Sequence, residues 1–128
     1  MIKAETLRDE QYAMVKIFNE NLDAGNSGEL GDILVSLFQE GEKNLILDLD
    51  GVRTCDSSAL NVILEGNRHA TERKGSFVLC RLNEALSGMM ENSQPDAALS
   101  IVPTPEEAVD LVLFNEIENQ LRAESGED

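Results

Sequence analysis

The stretch Leu45-Ile-Leu-Asp-Leu-Asp-Gly-Val-Arg-Thr-Cys-Asp-Ser-Ser-Ala-Leu60 decides the fold of this protein. It opens with an apolar run that is typical of a strand buried on both faces of a sheet. A short polar loop follows, and Asp56-Ser57-Ser58 then lies where a helix is predicted to begin. The first amides of a helix have no partner within it, and the helix dipole is positive there. A phosphate group is therefore well tolerated at this position.

The apolar strand belongs to a predicted βαβ unit. A helix over about residues 57–73 follows it, Gly75 ends that helix, and Phe77-Val-Leu-Cys80 is typical of a second buried strand. Two strands joined by a helix within about 40 residues form a parallel pair with a right-handed crossover. This unit is predicted to be the centre of the sheet.

The segment before the βαβ unit predicts a hairpin and a helix. Residues 2–7 and 12–18 are expected to pair as strands, and a polar loop from Asn19 to Gly28 leads into the helix. Gly41 is expected to end this helix. Its apolar residues recur at helical spacing and form one stripe facing a core, namely Leu30, Ile33, Leu34, Leu37 and Phe38.

The segment after the βαβ unit predicts two helices and an edge strand. Asn83 is expected to cap a short helix that runs through Met90, with Pro95 beyond its end. The short strand Leu99–Val102 follows, and Thr104 is a good cap for a last helix. The sequence therefore predicts an α/β fold: a mixed sheet of about four to five strands, with about four helices and a central parallel βαβ unit.

The last helix carries an apolar stripe beyond the length that a compact domain needs. Leu113, Ile117 and Leu121 could dock a partner or extend over the protein's own sheet, and the sequence does not choose between the two. Residues 123–128 are expected to be disordered. We therefore divide the chain into a domain at residues 1–115 and a C-terminal helix extension with an acidic tail at residues 116–128.

Composition argues against several classes of partner. With 25 acidic and 10 basic residues, the net charge of −15 disfavours binding to nucleic acid or anionic lipid. No apolar run approaches the roughly 18 residues that span a bilayer, and no signal peptide is evident. The two cysteines, Cys55 and Cys80, lack a metal-binding spacing and suit a reducing compartment. We expect a cytoplasmic protein with no metal, no cofactor and no membrane insertion.

A serine hydrolase is excluded by geometry. The only histidine, His69, follows Ser57 by 12 residues on the same predicted helix and is expected to face solvent. At about 1.5 Å per residue the two lie roughly 18 Å apart, whereas a general base must lie within about 3 Å. Without another base, Ser57 is not a triad nucleophile, and we assign no catalytic residue.

A second enzyme class is suggested by a short motif. Asp48-Leu49-Asp50-Gly51 resembles the first motif of the haloacid dehalogenase-like phosphatases, in which a strand-end aspartate is the nucleophile and Mg²⁺ is bound. No later acidic pair after an apolar strand completes such a metal site. The competing interpretation is that Asp50 and Gly51 form a turn after the strand.

The pattern Leu47-Asp-Leu-Asp-Gly-Val52 followed by Asp56-Ser-Ser-Ala-Leu60 resembles the signature of the STAS domain, named for sulfate transporters and anti-sigma factor antagonists. The resemblance extends over roughly residues 10–115 and includes Leu22-Asp23, where the family often has Gly-Glu-Leu-Asp. Two departures stand out. Ala59 replaces the glycine that usually follows Asp-Ser-Ser, and Glu20 replaces the glycine of Gly-x-Leu-Asp.

The resemblance implies a regulatory protein rather than an enzyme. In the family, the serine directly after the aspartate is phosphorylated by a partner serine kinase that is also the anti-sigma factor, and a serine phosphatase reverses this. Ser57 is the implied phosphoacceptor, with Ser58 as the alternative. The implied partner-binding residues are Asp23, Asp56, Ser58 and Asn61. The alternative hypothesis for the function, within the same family, is a STAS subunit that docks on the ATPase of an ABC-type membrane transport complex.

Overall fold

The computed structural model describes residues 1–93 and 99–126. Within these ranges the chain forms seven strands and four helices. In chain order they are β1 (Ala4–Arg8), β2 (Ala13–Ile17), β3 (Asn21–Leu22), α1 (Ser27–Gln39), β4 (Leu45–Asp48), β5 (Thr54–Cys55), α2 (Ser57–Glu72), β6 (Phe77–Cys80), α3 (Glu84–Ser93), β7 (Ser100–Val102) and α4 (Pro105–Glu124).

Five strands form one mixed sheet in the order β1-β2-β4-β6-β7. The β1–β2 hairpin is antiparallel, and the other neighbouring pairs are parallel. In the central pair, Leu45 lies opposite Phe77 and Leu47 lies opposite Leu79. The predicted α/β fold and its parallel βαβ unit are confirmed.

The sheet has a hydrophobic core on each face. Leu45 and Leu47 of β4 face one core, whereas Ile46 faces the other. All four residues of β4 are buried, as expected of a strand covered on both sides. The first core packs against α1, α2 and α3, and the second packs against α4 through Ala108 and Val112.

Two short strands were not predicted. β3 and β5 pair in parallel as a separate two-stranded sheet, with Asn21 opposite Thr54 and Leu22 opposite Cys55. From the sequence both segments are expected to be loops, because two residues are too few to show a period in hydrophobicity. The pair joins the loop before α1 to the loop before α2.

The helix ends agree with the sequence in one case and correct it in another. Gly41 ends α1 with a φ of 105°, as expected of a C-terminal glycine. At the end of α2, the left-handed position belongs to Lys74, with a φ of 59°. Gly75 serves a different purpose, because a Cβ there would lie 1.9 Å from the carbonyl oxygen of Lys43.

The later elements mostly match their predictions. The Asn83 side chain accepts a hydrogen bond from the Leu86 amide (2.8 Å), which confirms the cap of α3. That helix continues to Ser93 rather than ending at Met90. Pro95 lies outside the described residues. β7 is an edge strand, as predicted.

The last helix is well capped and longer than expected. The Thr104 hydroxyl accepts a hydrogen bond from the Glu107 amide (3.2 Å). The helix runs to Glu124, so residues 123 and 124, which we expected to be disordered, are helical. Residues 127 and 128 lie outside the described part.

No helix in the described ranges is long and apolar enough to cross a membrane.

We predict that Gly75→Ala destabilises the protein by about 2 kcal/mol or more, because the new methyl group must displace backbone atoms of Lys43. The measurement is the urea midpoint at constant m-value. Gly88→Ala is the matched control. It lies within α3 with open space around a new Cβ, and we expect it to stabilise the protein by about 0.5 to 1 kcal/mol. Equal midpoints for the two variants would contradict the assigned contact.

Candidate functional site

The site is built around the N-cap of α2. Asp56 caps the helix, its Oδ1 accepting a hydrogen bond from the Ala59 amide (3.1 Å). Its Oδ2 accepts from the Ala24 amide (3.2 Å), in the loop after β3. The Asp56 amide donates to the Leu22 carbonyl (3.0 Å). One residue thus holds the start of α2 against the loop that leads into α1.

The loop after β3 is itself ordered by hydrogen bonds. The Asp23 carboxylate accepts from the Gly25 amide (2.9 Å), and the Asp23 amide donates to Asn26 Oδ1 (2.9 Å). The buried Asn26 side chain also donates to the Asn21 carbonyl (2.8 Å). Asp23 itself is exposed. Its carboxylate is therefore presented to solvent beside the start of α2.

The two serines occupy the first two positions of α2. Ser57 is exposed, Ser58 is half-buried and Ala59 is fully buried. Asn61 is exposed one turn further along the same helix. The fold therefore places Ser57, Asp56 and Asp23 around one exposed helix start, with Asn61 next to it. A hydroxyl group at Ser57 is accessible to another protein.

A groove that the sequence does not predict lies between α1 and α2. Its volume is about 350 Å³, and it starts at Asn61 and ends at His69. The apolar side chains of Leu34, Val35 and Val62 line it. Two glycines that line the groove are the signal in the sequence. A Cβ at position 31 would contact Val62 at 3.7 Å, and a Cβ at position 66 would lie 2.8 Å from the Phe77 ring. The groove extends the surface at the start of α2.

The prediction that His69 faces solvent is wrong. It is half-buried, and its ring packs against Phe38 of α1 with the ring centroids 5.7 Å apart. The guanidinium group of Arg73 lies over the same Phe38 ring, 5.1 Å from its centroid. The packing of α2 on α1 accounts for the position of His69.

The Asp48-to-Gly51 motif forms a turn held by an ion pair. Asp48 is only 3% exposed, and its carboxylate accepts hydrogen bonds from the Arg81 side chain and the Asp50 amide, both at 3.1 Å. The Val52 amide closes the turn on the Leu49 carbonyl (3.0 Å). Throughout residues 1–93 and 99–126, no group of three or more His, Cys, Asp or Glu side chains could hold a metal ion.

Both cysteines are free thiols. Burial, and to a lesser degree the charge of Asp56, raises the pKa of Cys55 to about 11. Burial is also the main reason that the pKa of Cys80 rises to about 12, with Asp48 adding to it. Both thiols are therefore protonated at neutral pH, whereas a reactive cysteine is a thiolate.

Comparisons with known proteins agree with the fold. A model of the STAS domain family matches residues 4–108. A putative anti-sigma factor antagonist from Thermotoga maritima superposes with a TM-score of 0.74 at 21% identity, over 85% of this chain and 93% of that one. A STAS domain protein from Planctomyces limnophilus gives 0.75 at 18% identity, over 88% and 98%. SpoIIAA of Bacillus, in its phosphorylated form, gives 0.67 at 18% identity, over 88% and 99%. No curated protein matches the sequence significantly.

We predict that Asp56→Ala lowers the free energy of unfolding by about 2 kcal/mol, because it removes both the cap and the bond to Ala24. Asp56→Asn should lower the free energy of unfolding by less, because the amide oxygen of asparagine can still accept the hydrogen bond from the Ala59 amide. The bond to the Ala24 amide is still lost, because the amide nitrogen accepts no hydrogen bond. Thr104→Ala, which removes only a cap, is the control at about 1 kcal/mol. Urea unfolding measures all three. A loss at Asp56 no larger than that at Thr104 would show that the bond to Ala24 contributes nothing.

We also predict slow alkylation of Cys55 in the folded protein. Its pKa is raised from 9.0 to about 11, which lowers the thiolate fraction near pH 8 by about 100-fold relative to the unfolded chain. The rate of reaction with iodoacetamide should rise with pH until the pKa is reached. Mass spectrometry of the Cys55 peptide, in native buffer and in urea, measures both rates. Equal rates would contradict the assigned pKa.

Proposed function

This chain belongs to the STAS domain family, and we propose that it is an anti-sigma factor antagonist controlled by phosphorylation of Ser57. In the unmodified state it binds a serine kinase that is also the anti-sigma factor, and a serine phosphatase reverses the modification. The observation that carries the proposal is the exposed Ser57 hydroxyl at the first position of α2, between the Asp56 cap and the Asp23 loop.

The electrostatics of the helix start suit a reversible phosphate. A phosphoserine adds a charge of about −1.5 to −2. The unpaired amides and the dipole at the start of α2 stabilise this charge, while the neighbouring Asp56 carboxylate opposes it. Both Asp56 oxygens already accept backbone hydrogen bonds. The fold therefore changes little on phosphorylation, whereas the charge of the docking surface changes greatly.

The proposed docking surface consists of Asp23, Asp56, Ser58 and Asn61, together with Ser57. The α1–α2 groove continues it beyond Asn61 and offers apolar side chains to a partner. This surface combines an acidic edge with an apolar groove, and an interface commonly has such a polar rim around an apolar centre.

The two departures from the family pattern differ in their consequences. Ala59 is fully buried, so its methyl group points away from a docking partner and the change from glycine leaves the surface open. Glu20 is exposed and lines a depression of about 500 Å³ next to Asp23. Its carboxylate adds negative charge at the edge of the docking surface and favours a partner with a basic group there.

The structural neighbours support this role. Several of them are named as anti-sigma factor antagonists, and SpoIIAA has been solved both unphosphorylated and phosphorylated. The phosphatase-like motif offers no comparable support, because Asp48 is buried and engaged by Arg81. We therefore propose a substrate and switch that performs no catalysis itself.

We predict that Ser57→Ala abolishes phosphorylation by the cognate serine kinase with ATP, because it removes the acceptor hydroxyl. Ser58→Ala is the matched control, since it removes the neighbouring hydroxyl from the same helix turn but keeps the acceptor. Because Ser58 belongs to the proposed docking surface, we expect slower phosphorylation of this variant, but still one phosphate per chain, on Ser57. Intact-mass and peptide mass spectrometry measure the modification. Phosphorylation of Ser57→Ala at the wild-type level would overturn the assignment.

A pull-down from the native host tests the role separately. We expect it to recover a serine kinase with unmodified protein and much less of it with phosphorylated protein. Recovery of an ABC-type ATPase in place of a kinase, unaffected by Ser57→Ala, would instead identify the transport-complex subunit.

A further inference from the structure

The outer side of α4 exposes three large apolar side chains. Phe114, Ile117 and Leu121 are 58%, 57% and 59% exposed. They are three and four residues apart, so they form one stripe on the helix surface. We call these three residues the α4 stripe. The stripe expected from the sequence contained Leu113, which is half-buried, in place of Phe114.

The opposite side of α4 is fixed to the rest of the protein. Ala108 and Val112 are buried against the sheet. The Asn115 side chain donates to the Ser76 hydroxyl and the Asn119 side chain donates to the Lys74 carbonyl, both at 2.9 Å. The helix cannot roll to bury the α4 stripe without breaking these bonds. The stripe therefore does not extend over the protein's own sheet.

Acidic side chains border the α4 stripe. Asp110 lies four residues before Phe114, and Glu124 lies three residues after Leu121, so an acid continues the stripe at each end. Glu107 and Glu118 lie beside it. The basic residue of the last turn, Arg122, is paired with Glu118 at 3.8 Å. The apolar stripe is thus bordered by four carboxylates, which we call the acidic rim.

A second copy of the chain fits this face poorly. If two α4 helices paired antiparallel through the stripe, the Glu107 and Asp110 end of each would face Glu124 of the other. A parallel pair would place Asp110 opposite Asp110. Like charges meet in both arrangements, and the net charge of −15 on each copy adds to the repulsion.

We propose that the α4 stripe docks a cationic amphipathic helix from a partner protein, whose apolar side chains cover the stripe and whose Lys or Arg side chains pair with the acidic rim. This surface lies on the opposite face of the sheet from α2. Docking there is independent of Ser57 and of the proposed antagonist role.

The test uses two synthetic helical peptides that share leucines at positions i, i+3, i+4 and i+7. One carries lysines on the flanking positions and the other carries glutamates. We expect the protein to bind the lysine peptide in fluorescence anisotropy and not the glutamate peptide. The affinity should fall steeply with salt, because the acidic rim contributes to it.

Variants of the protein test whether the lysine peptide binds at the α4 stripe and the acidic rim. Ile117→Asn with Leu121→Gln should weaken the lysine peptide at least tenfold, since two apolar contacts are lost. The control is Leu7→Thr, which removes an apolar side chain that is 44% exposed on β1 and should change nothing. Glu107→Gln with Asp110→Asn should weaken binding and reduce its salt dependence. The charge-matched control, Glu84→Gln with Glu91→Gln on α3, should do neither.

Three results would overturn the proposal. The first is equal binding of the lysine peptide to wild type and to the Ile117/Leu121 variant, which would mean attraction to the acidic surface in general. The second is binding of the glutamate peptide with similar affinity. The third is a concentration-dependent dimer in analytical ultracentrifugation that the Ile117/Leu121 variant abolishes, which would make a second copy the occupant.

Discussion

The site depends on one carboxylate that bonds to two parts of the chain. Asp56 caps α2 through Ala59 and holds the loop before α1 through Ala24. The parallel pairing of β3 with β5 brings these two parts together in the first place. Because the capping group is the residue directly before Ser57, the serine has a defined place in the first turn of α2. A modification there acts on a surface that is already ordered.

A buried charge gives the neighbouring strand end a structural role. Asp48 ends β4, where parallel strands commonly place functional residues. Its carboxylate is nevertheless shielded from solvent and paired with Arg81, directly after β6. An unpaired carboxylate at this depth would be strongly unfavourable. The pair therefore stabilises the turn that directs the chain towards β5, and this turn positions the start of α2.

The two faces of the sheet carry different surfaces. One face is covered by α1, α2 and α3, and it carries the start of α2 and the groove beside it. The other is covered by α4, whose inner side is buried and whose outer side is apolar with an acidic border. Since the sheet separates the two surfaces, a charge added at Ser57 lies far from the partner proposed for α4. The protein could thus bind at both surfaces at the same time.

The sequence by itself determined the elements that have a strong period or a clear end signal. The apolar run of β4, the cap at Thr104 and the glycine after α1 each depend on a few neighbouring residues, and each was found where predicted. The fold class followed because a strand, a helix and a strand in sequence leave few ways to pack. The exposure of Ser57 at the start of α2 agrees with its sequence assignment, while its phosphorylation stays a prediction.

Only the tertiary structure decided how distant segments meet. The β3–β5 pair, the bond from Ala24 to Asp56 and the pairing of Asp48 with Arg81 join residues about 30 positions apart, so no local pattern reveals them. The need for glycine at position 75 likewise depends on a distant residue, Lys43. The outward direction of Phe114 depends on the hydrogen bonds that Asn115 and Asn119 of α4 make to Ser76 and Lys74. Local propensity acts between neighbours in the chain, whereas burial and long-range hydrogen bonds exist only after the chain has folded.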